Sequence, residues 1–272
     1  MGFSNEWKKV LDDIYDFEER TKTRRVWYRG HSKSSYLLKS GLFRDKEEEL
    51  LTYLSNELDS YRVFENLGAF CHDKKDWDLL FLMQHHGAKT RLLDWTESFA
   101  VALFFACASW DERIGSARVW LLNPASLNTL SIGVPNSVPV SFFGSYESHV
   151  KLETKFPVNS VAIYPPRNNQ RILRQSGVFT VQGNTIKSLD EEFDGQLLKN
   201  GDLAVIDITP DLKDDAFRYL EHCGIDYFKL YPDLEGLAKY TNHFNKKQKE
   251  LWKSLGAESN FSNEEIRKKY FE

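Results

Sequence analysis

The sequence predicts an α+β fold, with an N-terminal helical part packed on a mixed or antiparallel β-sheet. Two observations lead there. Apolar residues recur at helical spacing through most of the first 110 residues, and beyond Trp110 the texture changes to short β-branched and aromatic runs separated by Pro, Asn and Gly. Helices first and strands later, without regular βα alternation, is the pattern of segregated layers.

Each element has a local reason. Asn5 to Glu19 sets Trp7, Val10, Leu11, Ile14 and Phe17 on one stripe and predicts a helix. Arg25 to Gly30, RVWYRG, is short, aromatic and β-branched, and fits a strand that delivers Arg29 to a turn. Glu47 to Phe70 repeats Leu50, Leu54, Leu58 and Tyr61 about once per turn and reads as an amphipathic helix. Asp76 is placed to cap a further helix through Met83, and Gly87 to end it. Thr96, followed by Glu97, is placed to cap the helix holding AVALFFACASW. The segment QHHGAKTRLLDWT, residues 84–96, is then expected to join two helices, with a short extended piece at Thr90 to Leu93. ARVWLLN, SVAIYPP, SGVFTVQG and DLAVIDIT read as strands, and Asp211 to His222 and Leu234 to Phe244 as helices. No internal repeat or long linker interrupts the chain. The expected organisation is a helix over 1–23, a main domain over 24–244 and a charged helical tail over 245–272.

Composition narrows the classes. With 272 residues, 41% of them hydrophobic, the chain can bury a substantial core. A net charge of -4 argues against a general coating of polyanions, yet a local basic groove can coexist with an acidic average. Three cysteines without paired spacing indicate neither a disulfide framework nor a thiolate metal site, and fit a cytoplasmic location. The longest strongly apolar run, Phe99 to Trp110, is too short to span a bilayer, so no membrane partner is expected. Dinucleotide-fold, P-loop, serine-hydrolase and zinc-protease motifs are all missing.

Several polar residues stand out as site candidates. Arg29 at a strand end, followed by Gly30, can offer a bidentate fork to phosphate, or pair with a carboxylate at the surface. His85 and His86 are adjacent, point about 100 degrees apart on a helix and do not suit one metal. His85 is expected in the core, and His86 either there or at a cleft. Arg91 and Asp94 can form a structural pair pinning this segment to the core; alternatively Arg91 binds phosphate while Asp94 orients a ribose hydroxyl. Arg171 and Gln175 share a face if their stretch is helical. Trp27, Tyr28, Trp95, Phe104 and Phe105 read as core, with Trp95 the one bordering the polar cluster.

Three motifs in this order resemble the FRG domain family, named for an aromatic-Arg-Gly triplet. They are Tyr28-Arg29-Gly30, QHHGAKTRLLDWTESFAVALFFA, and RILRQSGVFTVQG from Arg171 to Gly183. Tyrosine stands here for the phenylalanine of the family name. YPDLEGLAKY, residues 231–240, resembles the end of such domains. The resemblance implies an ADP-ribosyltransferase-like fold, NAD as substrate, a nucleic-acid or protein acceptor, and a setting near bacterial antiviral or toxin systems. It places Tyr28, Arg29, Gly30, Thr90, Arg91 and Arg171 on an anionic nucleotide, and His86, Asp94 and Gln175 at the chemistry, with no metal. Transferases of this type commonly use a carboxylate where Gln175 would stand, so Glu153 and Asp94 are open substitutes. The alternative is a non-catalytic module that recognises a nucleotide, nucleic acid or protein through the same cleft.

Overall fold

A computed structural model describes residues 2–23, 25–46, 49–166 and 170–254. The chain forms two compact units, residues 1–224 and 225–272. Within the first, the elements in chain order are α1 (Asn5–Thr21), β1 (Trp27–His31), α2 (Leu50–Gly68), α3 (Asp76–His85), β2 (Leu92–Thr96), α4 (Phe99–Cys107), β3 (Ala117–Leu122), α5 (Pro124–Ile132), β4 (Val138–Pro139), α6 (Tyr146–Val150), β5 (Val161–Tyr164), α7 (Gln170–Arg174), β6 (Gly177–Val181), α8 (Gln196–Lys199), β7 (Leu203–Ile208) and α9 (Lys213–His222). The second unit holds α10 (Tyr227–Leu230) and α11 (Leu234–Ser254). The expected α+β class with a mixed sheet is what the chain forms. Among the described residues no helix is long and apolar enough to cross a membrane.

The strands make one sheet in the order β4-β5-β6-β2-β1-β3-β7, antiparallel except for the β4–β5 pair. Two of the buried clusters on it meet at β2. One gathers Trp77, Leu80 and Met83 of α3 with Tyr61, Tyr146, Leu92 and Phe179. The other gathers Trp27, Leu93, Trp95, Trp120 and Val178 with Leu38 and Leu197. Alternation along β2 explains how one strand serves both, since Leu92 and Leu93 point to opposite faces. Trp95 belongs to the second core, where its Nε1 donates to Thr180 Oγ1 at 3.1 Å.

β1 and β2 pair at a single residue couple, Tyr28 with Thr96. β1 continues beside β3 over five couples and β2 beside β6 over five. The two central strands therefore part beyond the Tyr28–Thr96 couple, after Tyr28 on β1 and before Thr96 on β2, and the sheet opens where Arg29 and Asp94 lie.

Several local expectations change. The 84–96 segment is not a simple joint between helices: Gly87, at φ 82°, ends α3 as expected, but the chain then enters β2 in the middle of the sheet. The extended piece expected at Thr90 to Leu93 is a strand set two residues further on, over Leu92–Thr96, buried on both sides of the exposed Asp94. Thr96 is the last strand residue, and the cap of α4 is Ser98, whose Oγ accepts from the Val101 amide. Thr96 Oγ1 instead accepts from the Ser98 amide and donates to the Gln175 carbonyl. Asp76 opens α3 at φ 57°, and its carboxylate is drawn off to the amide of Tyr146 that begins α6. His85 is exposed, because α3 turns Trp77, Leu79, Leu80 and Met83 inward and its last turn outward. Residues 245–254 continue α11, and the rest of the expected tail lies outside the described residues.

Candidate functional site

The parting of β1 and β2 opens a cleft of about 1110 Å³. Arg29, Gly30, His31, Gln84, Asp94, Thr96, Arg171 and Gln175 all line it. So do Lys39, Arg44, Asp45 and Lys46 from the segment that follows β1, giving five cations against two carboxylates. The chain is acidic overall, so this concentration of positive charge is local and points to an anionic ligand.

Strand alternation divides the Tyr28-Arg29-Gly30 triplet. Tyr28 turns to the helices: its ring packs against Phe99 at 5.9 Å and its hydroxyl donates to Glu18. Gly30 turns the same way, and a Cβ there would sit 1.9 Å from the Ala102 carbonyl oxygen and 2.5 Å from the Ala106 amide. The glycine therefore admits the backbone of α4, and the expected close approach is to a helix. Arg29 points to the opposite face.

The Arg29 side chain is only 14% exposed. Its Nε donates to His31 Nε2 at 3.0 Å, and one terminal nitrogen donates to the Asp94 carbonyl oxygen. That carbonyl faces the gap left by the parted strands, and the guanidinium supplies the donor a paired strand would have given. The nearest carboxylate oxygen, Asp94 Oδ2, is 3.9 Å away. Burial pushes the guanidinium down to about 10, with Arg44 adding to the effect and Asp94 opposing it. Arg29 is thus a desolvated cation without a directly bonded anion.

His31, absent from the candidates read in sequence, sits two residues along the same face. Because Arg29 donates to Nε2, the imidazole is neutral with its proton on Nδ1. Burial, then the charges of Arg29 and Arg44, push it down to about 3 against the Tyr36 backbone. It is therefore a pure acceptor toward Arg29 at any physiological pH. Its i+2 position on an alternating strand was the available signal.

Asp94 is held from the other side. Thr90 Oγ1, itself an acceptor from the Leu92 amide, donates to Gln84 Oε1 at 2.5 Å, and Gln84 Nε2 donates to Asp94 Oδ2 at 2.8 Å. The amide of Gln84 is so fixed that its NH₂ can only face the carboxylate. Thr90 is buried behind Gln84, while the Asp94 side chain is 59% exposed. Gln84 was the second residue the sequence reading passed over as a site member.

Arg171 and Gln175 come together as the helical alternative required, because α7 spans Gln170–Arg174 and the Gln175 amide donates to the Arg171 carbonyl. Thr96 and Glu97 hold the turn that follows, through the Gln175 and Ser176 carbonyls. A smaller cavity of about 280 Å³, floored by Phe81, Ile172 and Phe179, shares Gln84, Asp94, Arg171 and Gln175 with the main cleft.

Arg91 goes elsewhere. It is 3% exposed and forms a bidentate pair with Glu57 of α2, not with Asp94. The Gln182 carbonyl and Asn184 Oδ1 take further donors, Tyr146 donates to Glu57, and Phe156 lies 4.4 Å below the guanidinium. Burial works against its charge, but the Glu57 carboxylate outweighs that and raises it. The bland reading of Arg91 as a structural pair is the one its surroundings satisfy, with a different partner. Neither His86 nor Glu153 lines either cavity; both are exposed. Cys107 lies buried in α4, and burial pushes its thiol up to about 12.

Residues 24–113 match the model of the FRG domain. The match takes in the Tyr-Arg-Gly triplet, the 84–106 motif and the start of the cleft wall, and stops before RILRQSGVFTVQG. No curated protein and no solved structure matches the chain. What the comparisons show is therefore an FRG domain match over residues 24–113, the stretch that holds β1, the Gln84 to Thr96 segment and α4.

Proposed function

We propose that the cleft binds an anionic nucleotide and that the protein is an NAD-handling enzyme of the ADP-ribosyltransferase kind, with Asp94 as its carboxylate. One observation carries the reading: Arg29 is a buried cation with no carboxylate in hydrogen-bond contact, in a cleft with four more cations. A cation left in that condition costs stability unless an anion completes it, and a phosphate bound through its remaining N–H groups does so. Arg91 shows what the same side chain looks like when the protein itself supplies the anion.

The chemistry follows from what surrounds Asp94. Cleavage of the nicotinamide–ribose bond sends the electron pair to the nicotinamide nitrogen and leaves positive charge on the ribosyl carbon. Asp94, exposed to the cleft and fixed by Gln84 and Thr90, places a negative charge for that centre without reorganisation. Arg29, Arg44 and Arg171 hold the diphosphate, and the neutral Gln175 amide hydrogen-bonds sugar or acceptor. A nucleophile on nucleic acid or protein then takes the ribosyl group, consistent with the antiviral and toxin settings the resemblance implies.

The test is nicotinamide release from NAD by the full chain, with nucleic-acid and protein acceptors present. Asp94→Asn should lower the rate by about 10²–10³-fold while leaving ADP-ribose binding within a few fold. Intact, folded protein that neither binds nor cleaves NAD sinks the reading. The neutral Gln175 between the two cavities favours a second reading, a non-catalytic nucleotide-binding module. Binding that weakens steeply with salt while NAD stays intact selects it.

A further inference from the structure

The cations occupy only part of the cleft lining. Tyr36, Leu37 and Ile186 also line it, and these residues are 47%, 55% and 41% exposed. Large apolar side chains at that exposure are ordinary when scattered, but these three sit together in the wall of one charged cleft. They come from two loops, one after β1 and one after β6.

The two loops are stitched to each other. The Leu189 amide donates to the Leu38 carbonyl at 3.0 Å, and the Ser40 amide donates to Gln182 Oε1 at 2.9 Å. Gln182 Nε2 in turn donates to the Thr185 and Lys187 carbonyls, so one buried amide fixes both loops at once. Gly183 beside it is required, because a Cβ there would lie 2.4 Å from the Val158 carbonyl oxygen. The Val181-Gln182-Gly183 end of the third motif thus serves to build this shelf. Tyr36 also continues directly into the anion-binding corner: its ring meets His31 edge to face at 6.0 Å, and His31 holds Arg29.

We infer that the shelf is a base-binding subsite, in which Tyr36 stacks on the heteroaromatic base of a nucleoside diphosphate whose phosphates lie at Arg29 and Arg44. This rests on the anionic-nucleotide reading of the cleft and names which part of the ligand the apolar wall takes. Charge selects the occupant: an apolar peptide or lipid would bring nothing to the five cations, and a bare phosphate nothing to the shelf. A nucleotide brings both. Lys33 Nζ lies 5.7 Å from the Tyr36 centroid, a loose contact of an exposed, flexible side chain that is weaker than base stacking.

The experiment is calorimetric titration of the full chain with ADP, with inorganic pyrophosphate and with a short single-stranded oligodeoxynucleotide. Wild type should bind ADP more tightly than pyrophosphate by roughly 5- to 150-fold, the range stacking of one base supplies. Tyr36→Ala should erase that ratio by weakening ADP alone, and Tyr36→Phe should keep it. Equal affinity for ADP and pyrophosphate in wild type, or Tyr36→Ala weakening both alike or neither, overturns the subsite. Absence of binding to any of the three overturns it together with the anionic reading. Oligonucleotide binding far tighter than ADP binding overturns the assignment to a free nucleoside diphosphate. ADP selectivity lost in Tyr36→Ala with no NAD turnover by wild type retains the subsite and removes the enzyme, so the two failures are distinct.

Discussion

Two buried arginines in one domain, one completed by its own carboxylate and one not, should respond in opposite fashion to the same substitution. Replacing Arg91 by Met leaves the Glu57 carboxylate, bonded to Tyr146 in a dry core, without its counterion. Breaking a buried pair by removing one partner costs about 3–5 kcal/mol. Replacing Arg29 by Met removes a cation whose burial has lowered it to about 10, a penalty of about 3 kcal/mol on the charged form. The same change forfeits the bonds to His31 and to the Asp94 carbonyl, together worth about 3 kcal/mol. The two terms offset, so Arg29→Met should lie within about 1 kcal/mol of wild type.

The assay is urea unfolding of both variants and wild type at pH 7, compared at matching slopes. The pH is a safe choice: since the folded value lies below the ordinary one, the penalty is fully present below about 10 and lifts only as pH rises through that value toward the ordinary guanidinium range. Calorimetry with ADP alongside should show binding lost in Arg29→Met despite its preserved fold. An Arg29→Met variant as unstable as Arg91→Met would refute the reasoning, because Arg29 would then be a structural residue and the cleft would lose the observation on which its function rests.

Glu192 is buried and takes the amide and hydroxyl of Ser160, yet burial, ahead of the lowering effect of those bonds, pushes it up to about 7. A carboxyl raised on folding binds its proton more tightly in the native state, so its contribution is full below the ordinary carboxylate value and is lost as pH rises through 7. Glu192→Gln should therefore match wild type at pH 4 and exceed it by about 2–3 kcal/mol at pH 8.5, read as a difference in melting curves; a constant offset at both pH values would show the acid is not the source. Gly30→Ala forces a Cβ against two backbone atoms of α4 and should cost at least about 3 kcal/mol, which neither Ala102→Gly nor Ala106→Gly can rescue since the clash is with backbone. His31→Leu should loosen Arg29 and weaken ADP binding by about tenfold, with His31→Gln restoring much of it through an acceptor at the same reach; an unchanged affinity in His31→Leu removes the positioning role.

What could be read in the sequence was set by the range of the interaction. The long periodic helices and the four β-rich runs after Trp110 depend on neighbours within a turn or a pleat, and they appear where spacing puts them. β2 was legible only as an extended piece at Thr90 to Leu93, because five residues buried at four positions offer no alternation to distinguish a strand from a linker. The partner of Arg91 was hidden for a different reason. An arginine with an aspartate three residues on looks paired, whereas Glu57, 34 residues earlier, carries no local mark. Gln84 and His31 were within reach, since each lies beside a named candidate, but amides and histidines next to charged residues are too common to single out before the register is known.

The family triplet owes its form to that register. On β1, the residues before and after Arg29 face α1 and α4, so an aromatic side chain and a glycine are both explained by helix packing: the ring fills the space against Phe99, and the missing Cβ lets α4 approach. Neither needs a ligand. Arg29 alone faces the gap where β1 leaves β2, and its cost is borne at the point where the sheet gives up its own hydrogen bonds. A purely structural domain would gain from closing that gap with another strand couple and an apolar side chain. Keeping it open, lined by cations and held in place by His31, Gln84 and Thr90, adds no net stability on the balance worked for Arg29, which is the physical reason to propose a ligand for the cleft.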